Sequence, residues 1–192
     1  TPSGNTHTDT AIKKIGTASG QFDGSGDYLT IADHADWDIG TNWTAEFWAY
    51  NATSVNDAYV INHSTDADNL WGTKMNTNCS PRFFIQVSAS NTVIINGTAD
   101  ANRANIWTHY AIVKRGDLWQ WYINGVLDAT LTDTSDDPGF SGPLYLSRNF
   151  ASATGQNFTG YIDEVRISNV ARYGSFTPST TALKGDAYTN LL

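Results

Sequence analysis

Residues 107–127 read Trp-Thr-His-Tyr-Ala-Ile-Val-Lys-Arg-Gly-Asp-Leu-Trp-Gln-Trp-Tyr-Ile-Asn-Gly-Val-Leu. Trp107 to Val113 alternates with the period of a half-buried strand. Arg115-Gly116-Asp117 is a turn, and Leu118 to Ile123 is a second β-rich run. Asn124-Gly125 then supplies the two positive-φ residues that a tight hairpin demands, ahead of Val126-Leu127. Working outward, Thr44 to Tyr50 alternates with Ala45, Phe47 and Ala49 on one face and Trp48 and Tyr50 on the other. Arg82 to Val87, Thr92 to Ile95, Leu144 to Leu146 and Tyr161 to Ile167 are further short runs between Asn, Ser and Gly. Roughly ten to twelve strands at short spacing predict a sandwich or barrel. Helix is nearly absent, with one turn expected at Asn169 to Tyr173.

Composition agrees. The chain has 192 residues, which is the size of one domain. Only 16% are charged, whereas 12% are aromatic, so the polar load falls on Thr, Ser, Asn and Gly, a mix suited to strands and turns. A net charge of −8 without a basic patch argues against nucleic acid. No apolar run approaches the ~20 residues of a membrane-spanning helix. Cys79 is the single cysteine, so no internal disulfide forms. Of the 19 acidic residues only Glu46 and Glu164 are glutamate; Asp is short, favours turns and ligates calcium well.

Five segments in order resemble the laminin G-like, concanavalin A-like jelly-roll family. These are Phe22-Asp23-Gly24-Ser25-Gly26-Asp27-Tyr28-Leu29, Thr44 to Tyr50, Trp107 to Val113, the Tyr122-Ile123-Asn124-Gly125 hairpin, and Gly160-Tyr161-Ile162-Asp163-Glu164-Val165-Arg166-Ile167. The resemblance implies an all-β, two-sheet antiparallel jelly-roll sandwich over residues 1–176. Residues 177–192 are then a C-terminal extension, either the first strand of a following unit or a strand completing this sheet. Asn169 to Tyr173 with Phe176-Thr177-Pro178 is similar to versions of this domain in bacteriophage tail and particle proteins, which implies a virion or extracellular surface location.

The resemblance also implies a structural calcium ion, held by Asp163 with Asp23, Gly26 or Asp27. For function it implies a non-catalytic, lectin-like module that binds glycan. The alternative is a structural or adhesive domain contacting other particle or surface proteins. Sugars stack their apolar faces on aromatic rings, and Asp, Asn and Arg bind their hydroxyls. Trp71 matches no family motif and lies in the stretch Asn62 to Pro81, which reads as a long polar loop, so it is the expected platform, flanked by Asp68 and Asn69. Arg148 and Asn149, with Tyr50 and Tyr59, are expected on the rim. Trp119 and Trp121 share a parity and belong to the core, whereas Tyr122 has the other parity and is expected at the surface. Glu46 and Glu164 lie in different strands and lack the paired spacing of a retaining glycosidase, so no catalytic residues are expected.

Overall fold

The computed structural model describes residues 1–52, 57–150 and 156–192. It is an antiparallel sandwich. The strands are β1 (Pro2–Ser3), β2 (His7–Asp9), β3 (Ser19–Asp23), β4 (Tyr28–Ile31), β5 (Asn42–Asn51), β6 (Ala58–Ser64), β7 (Leu70–Asn76) and β8 (Ser80–Val87). They continue as β9 (Ser90–Asn96), β10 (Trp107–Arg115), β11 (Leu118–Ile123), β12 (Val126–Thr132), β13 (Leu144–Leu146), β14 (Thr159–Ser168) and β15 (Thr189–Leu191). Helix is confined to three single 3-10 turns among the described residues. One sheet, here sheet A, runs β1-β4-β13-β6-β7-β8-β9; sheet B runs β12-β11-β10-β5-β14-β3-β2, and β15 pairs with β14.

The alternation read in the sequence sets which residues face inward. Ala45, Phe47 and Ala49 of β5 enter the core with Tyr110 and Ile112 of β10 and Trp119, Trp121 and Ile123 of β11. Phe83, Ile85, Val93, Ile95 and Leu144 meet them from sheet A. Burying such a layer from both sheets is the main stabilising term of a sandwich. The Asn124-Gly125 hairpin forms with both residues at positive φ, 50° and 79°. Gly125 is also demanded by contact, since a Cβ there would meet the Phe176 carbonyl.

Three local readings change. The stretch 62–81 is mostly strand, not loop: β6 ends at Ser64, β7 runs Leu70–Asn76 and β8 begins at Ser80, leaving only the turn at 65–69 and the 3-10 turn Thr77–Cys79. Its polar composition hid an alternation in which Trp71 and Met75 point inward. Residues 169–173 form no helical turn. They begin a strap across the outer face of sheet B, where Ala171, Tyr173 and Phe176 pack on Ala111, Val113 and Tyr122. Tyr122 is therefore buried, not exposed.

The strap is fastened through a buried carboxylate. Glu46, on the outer face of β5, accepts from Arg166 at 2.7 Å, from the Tyr173 hydroxyl at 2.7 Å, and bonds His109 Nε2 at 3.1 Å. A bulge between Asp163 and Arg166, with Glu164 at φ 51°, turns Arg166 back toward Glu46. The strap covers one half of the outer face of sheet B and leaves the other half open.

Candidate functional site

The open half carries a row of side chains that cross-strand register places side by side. Trp107 of β10 is opposite Tyr50 of β5, and Tyr50 is opposite Tyr161 of β14. Tyr161 is opposite Gln21 of β3, and Gln21 is opposite His7 of β2. All five are outward neighbours because the residues flanking them on each strand, such as Ala49 and Ile162, point into the core. Four interstrand steps of about 4.8 Å give the row a span of roughly 19 Å.

The rings meet edge to face. Tyr50 and Trp107 have centroids 5.8 Å apart at 63°, and Tyr50 and Tyr161 are 5.6 Å apart at 80°. Trp107, Tyr50 and Tyr161 are half-buried, and no cation lies over any of the three among the described residues. Burial, with Asp9 and Tyr50 nearby, raises the Tyr161 phenol above its ordinary value of 10.0, so its hydroxyl is a neutral donor and acceptor. Asp23 and Thr159, paired with each other two residues farther along the strands, add polar groups to the same face. On the other side of the row Trp48 is capped by the Lys14 ammonium, 4.0 Å from its ring.

Of the residues expected to bind ligand, only Tyr50 belongs to this row. Trp71 does not: it is fully buried, meets Trp43 at 5.2 Å, and its indole N–H donates to the Trp37 carbonyl at 2.9 Å. No ring face is left for a sugar. Asp68 and Asn69 sit in the β6–β7 turn, where the Asp68 carbonyl accepts from Ala89 and the Asn69 carbonyl oxygen of the side chain accepts from Ser88. They tie that turn to the β8–β9 turn.

Tyr59, Arg148 and Asn149 are together, on the outer face of sheet A. Tyr59 is buried beneath the Lys74 ammonium, 4.3 Å from its ring centroid. The Arg148 guanidinium lies 4.3 Å over Tyr28, and Asn149 donates to Gln156 at 2.8 Å. The expected set is thus split among the core, a turn and two opposite faces.

The residues expected to hold calcium do not fit a shared ion. Asp163 Oδ2 accepts from the backbone N–H of Lys14 and Ile15 at 2.9 and 3.0 Å, and Oδ1 accepts from Glu164 N–H. Asp27 likewise spends both oxygens on backbone N–H groups, of Asn5 and Asp23. Asp23 pairs with Thr159, four residues before Asp163 on β14, which separates them by roughly 13 Å of strand. Gly26 belongs to the Asp23–Asp27 turn, away from Asp163. N–H dipoles aimed at each carboxylate occupy the positions a cation would take. Asp163→Ala should cost about 1–3 kcal/mol by orphaning those donors. The loss, read by chemical denaturation, should be equal with and without EDTA; a loss seen only with calcium present would restore the metal.

A family model for the concanavalin A-like lectin/glucanases superfamily, Laminin_G_3, matches residues 23–175. The chain belongs to that family. No curated protein matches it. Among solved structures, this concanavalin A-like domain is similar to domain 4 of AbnA, an extracellular arabinanase of Geobacillus stearothermophilus in complex with arabinotriose. The TM-score is 0.64 at 19% identity, covering 85% of this chain and 75% of that one. It is also similar to botulinum neurotoxin type C, whose cell entry is described as dependent on two ganglioside molecules, with a TM-score of 0.68 at 16% identity. That match covers 89% of this chain and 43% of the neurotoxin chain. The binding domain of botulinum neurotoxin DC in complex with SialylT matches with a TM-score of 0.66 at 18% identity, covering 89% and 43%. The chain spans less than half of these neurotoxin chains. At such identities the likeness establishes the shared fold.

The sequence could not have shown Trp107, Tyr161, Gln21 and His7 as a set. Parity places Tyr50 outward, but only the pairing of five strands sets these residues in line.

Proposed function

We propose that the chain is a non-catalytic glycan-binding module that holds a saccharide chain along the row Trp107, Tyr50, Tyr161, Gln21 and His7. The row itself carries this reading. It offers uncapped aromatic rings for the apolar faces of sugar rings. Phenol, amide, imidazole and carboxylate groups beside them suit the hydroxyls. A span of roughly 19 Å across five strands suits an extended oligosaccharide better than a compact metabolite. The similar structures solved with arabinotriose and SialylT support the choice of ligand class.

The two glutamates have structural partners. Glu46 holds Arg166, Tyr173 and His109, and Glu164 accepts the Leu183 N–H. That supports binding without hydrolysis.

A glycan array including arabino-oligosaccharides and sialylated glycans should yield a ligand. Tyr50→Ala and Trp107→Ala should each weaken it by roughly tenfold or more while leaving the melting temperature within a few degrees of wild type. A blank array, or a ligand bound equally by both variants, would overturn the assignment.

A further inference from the structure

The outer face of sheet A has a different chemistry from the open row of sheet B. Arg82, Lys74 and Tyr59 are cross-strand neighbours on β8, β7 and β6. Lys74 stands 4.3 Å over Tyr59 and 4.9 Å over Phe84, and Arg82 stands 5.5 Å over Phe84. Arg148 follows β13 on the same face, stacked over Tyr28 with Tyr145 at 5.8 Å. A protein of net charge −8 with 11 basic residues has thus placed three of them on the rings of one face.

Here Lys74 and Arg82 cover the buried rings of Tyr59 and Phe84. Asp57 is the carboxylate in contact with this group among the described residues, and it is committed to Lys74 at 2.9 Å and to the Gln156 amide. Arg82 and Arg148 have no carboxylate partner among the described residues. Arg82 Nε is buried without a hydrogen bond, and Arg148 donates from Nε only to the Asn149 carbonyl at 3.3 Å. Stacking uses the flat face of a guanidinium and leaves the forked N–H edge, whose spacing matches a carboxylate. Around the cations lie the half-exposed rings of Tyr28 and Tyr145, exposed Phe150, and the amide of Gln156.

We propose that this face is a second site, independent of the aromatic row, which binds the carboxylates of acidic sugars along a uronic-acid polymer or a sialylated glycan. The occupant follows from charge and shape. Each guanidinium fork suits a planar carboxylate, and with β6 and β7 between them the two stand roughly 14 Å or more apart. The surrounding rings and amide suit the rest of a sugar. A net charge of −8 works against duplex nucleic acid, which carries one negative charge per about 1.7 Å.

The test is equilibrium binding of the 192-residue chain to polygalacturonate, to its methyl ester, and to a sialylated oligosaccharide with its asialo counterpart. At least one acidic ligand should bind, its neutral counterpart should bind about tenfold or more weakly, and raising the salt should weaken the acidic ligand further. The double variant Arg82→Gln, Arg148→Gln should lose about tenfold or more for the acidic ligand, with unchanged melting temperature. Tyr50→Ala should retain acidic binding, which separates this site from the row on sheet B. Which acidic ligand binds distinguishes the polymer from the sialylated source. Equal binding of acidic and neutral forms would overturn the proposal. So would unchanged affinity in the double variant, no binding to either acidic ligand, or equally tight binding of duplex DNA.

Discussion

Trp71→Ala should destabilise the protein by about 3–5 kcal/mol, a large share of the ~5–15 kcal/mol available to a domain. Trp71 is fully enclosed by Trp43, Phe83 and His63, with centroids at 5.2, 6.4 and 6.1 Å. Truncation removes a large ring and leaves a cavity between two sheets whose strands are held by their ladders and cannot collapse onto it. It also deprives the Trp37 carbonyl of its indole donor at 2.9 Å. For a chain of this size the melting temperature should fall by roughly 10 °C or more. Trp71→Phe, which restores part of the ring volume but not the N–H, should recover part of that loss. Calorimetry of both variants checks this. A Trp71→Ala protein that melts with wild type would contradict the core assignment and return this residue to the surface.

Glu46→Ala should cost about 3–5 kcal/mol, because it leaves the buried Arg166 without its partner. The strap should loosen with it, since the Tyr173 hydroxyl loses its acceptor. The pH dependence has two limbs. Burial alone would raise the Glu46 carboxyl, but the His109 hydrogen bond, the Arg166 charge and the Tyr173 hydroxyl outweigh it and hold the group below its ordinary 4.5. A depressed carboxyl contributes stability that is whole above pH 4.5 and is lost as pH falls through the folded value. Tyr173 has the opposite sense. Burial and the Glu46 charge raise its phenol, so its contribution is whole below its ordinary 10.0 and is lost as pH rises through the folded value. Unfolding free energy measured across this range should show Glu46→Gln with a flatter acid limb than wild type. An acid limb of equal steepness in both would place the acid sensitivity on other carboxylates.

Trp71 shows why sequence reading of the site was partial. It lies among Asp66, Asp68, Asn69 and Asn76, and such polar company resembles a loop. The inward alternation Trp71, Thr73, Met75 is the signal that could have placed it, and a five-residue turn before it marks the hairpin. Arg148 and Tyr59 were legible as candidates by type, but not the cation–ring stacking that occupies them, Arg148 over Tyr28 and Lys74 over Tyr59. Asp163 was legible as a fixed acidic position in the closing strand. Its partners, the N–H groups of Lys14 and Ile15, lie some 150 residues earlier in the chain.

By itself, the sequence determined the all-β class, the central strands and the inward parity of Ala45, Phe47, Trp119 and Trp121, while the two-sheet sandwich was implied by the family resemblance. Strand and parity are local, because alternation within a strand follows from its two-residue repeat. Tertiary structure alone decided which outward residues are open and which are covered. Tyr122 and Tyr50 both point outward from sheet B, yet Phe176 lies 5.6 Å from Tyr122, whereas Tyr50 stands in an uncapped row. A strand's sequence sets its two faces. The strap arriving from residues 169–178 and the register of neighbouring strands set which part of a face meets solvent, and both depend on contacts between residues far apart in the chain.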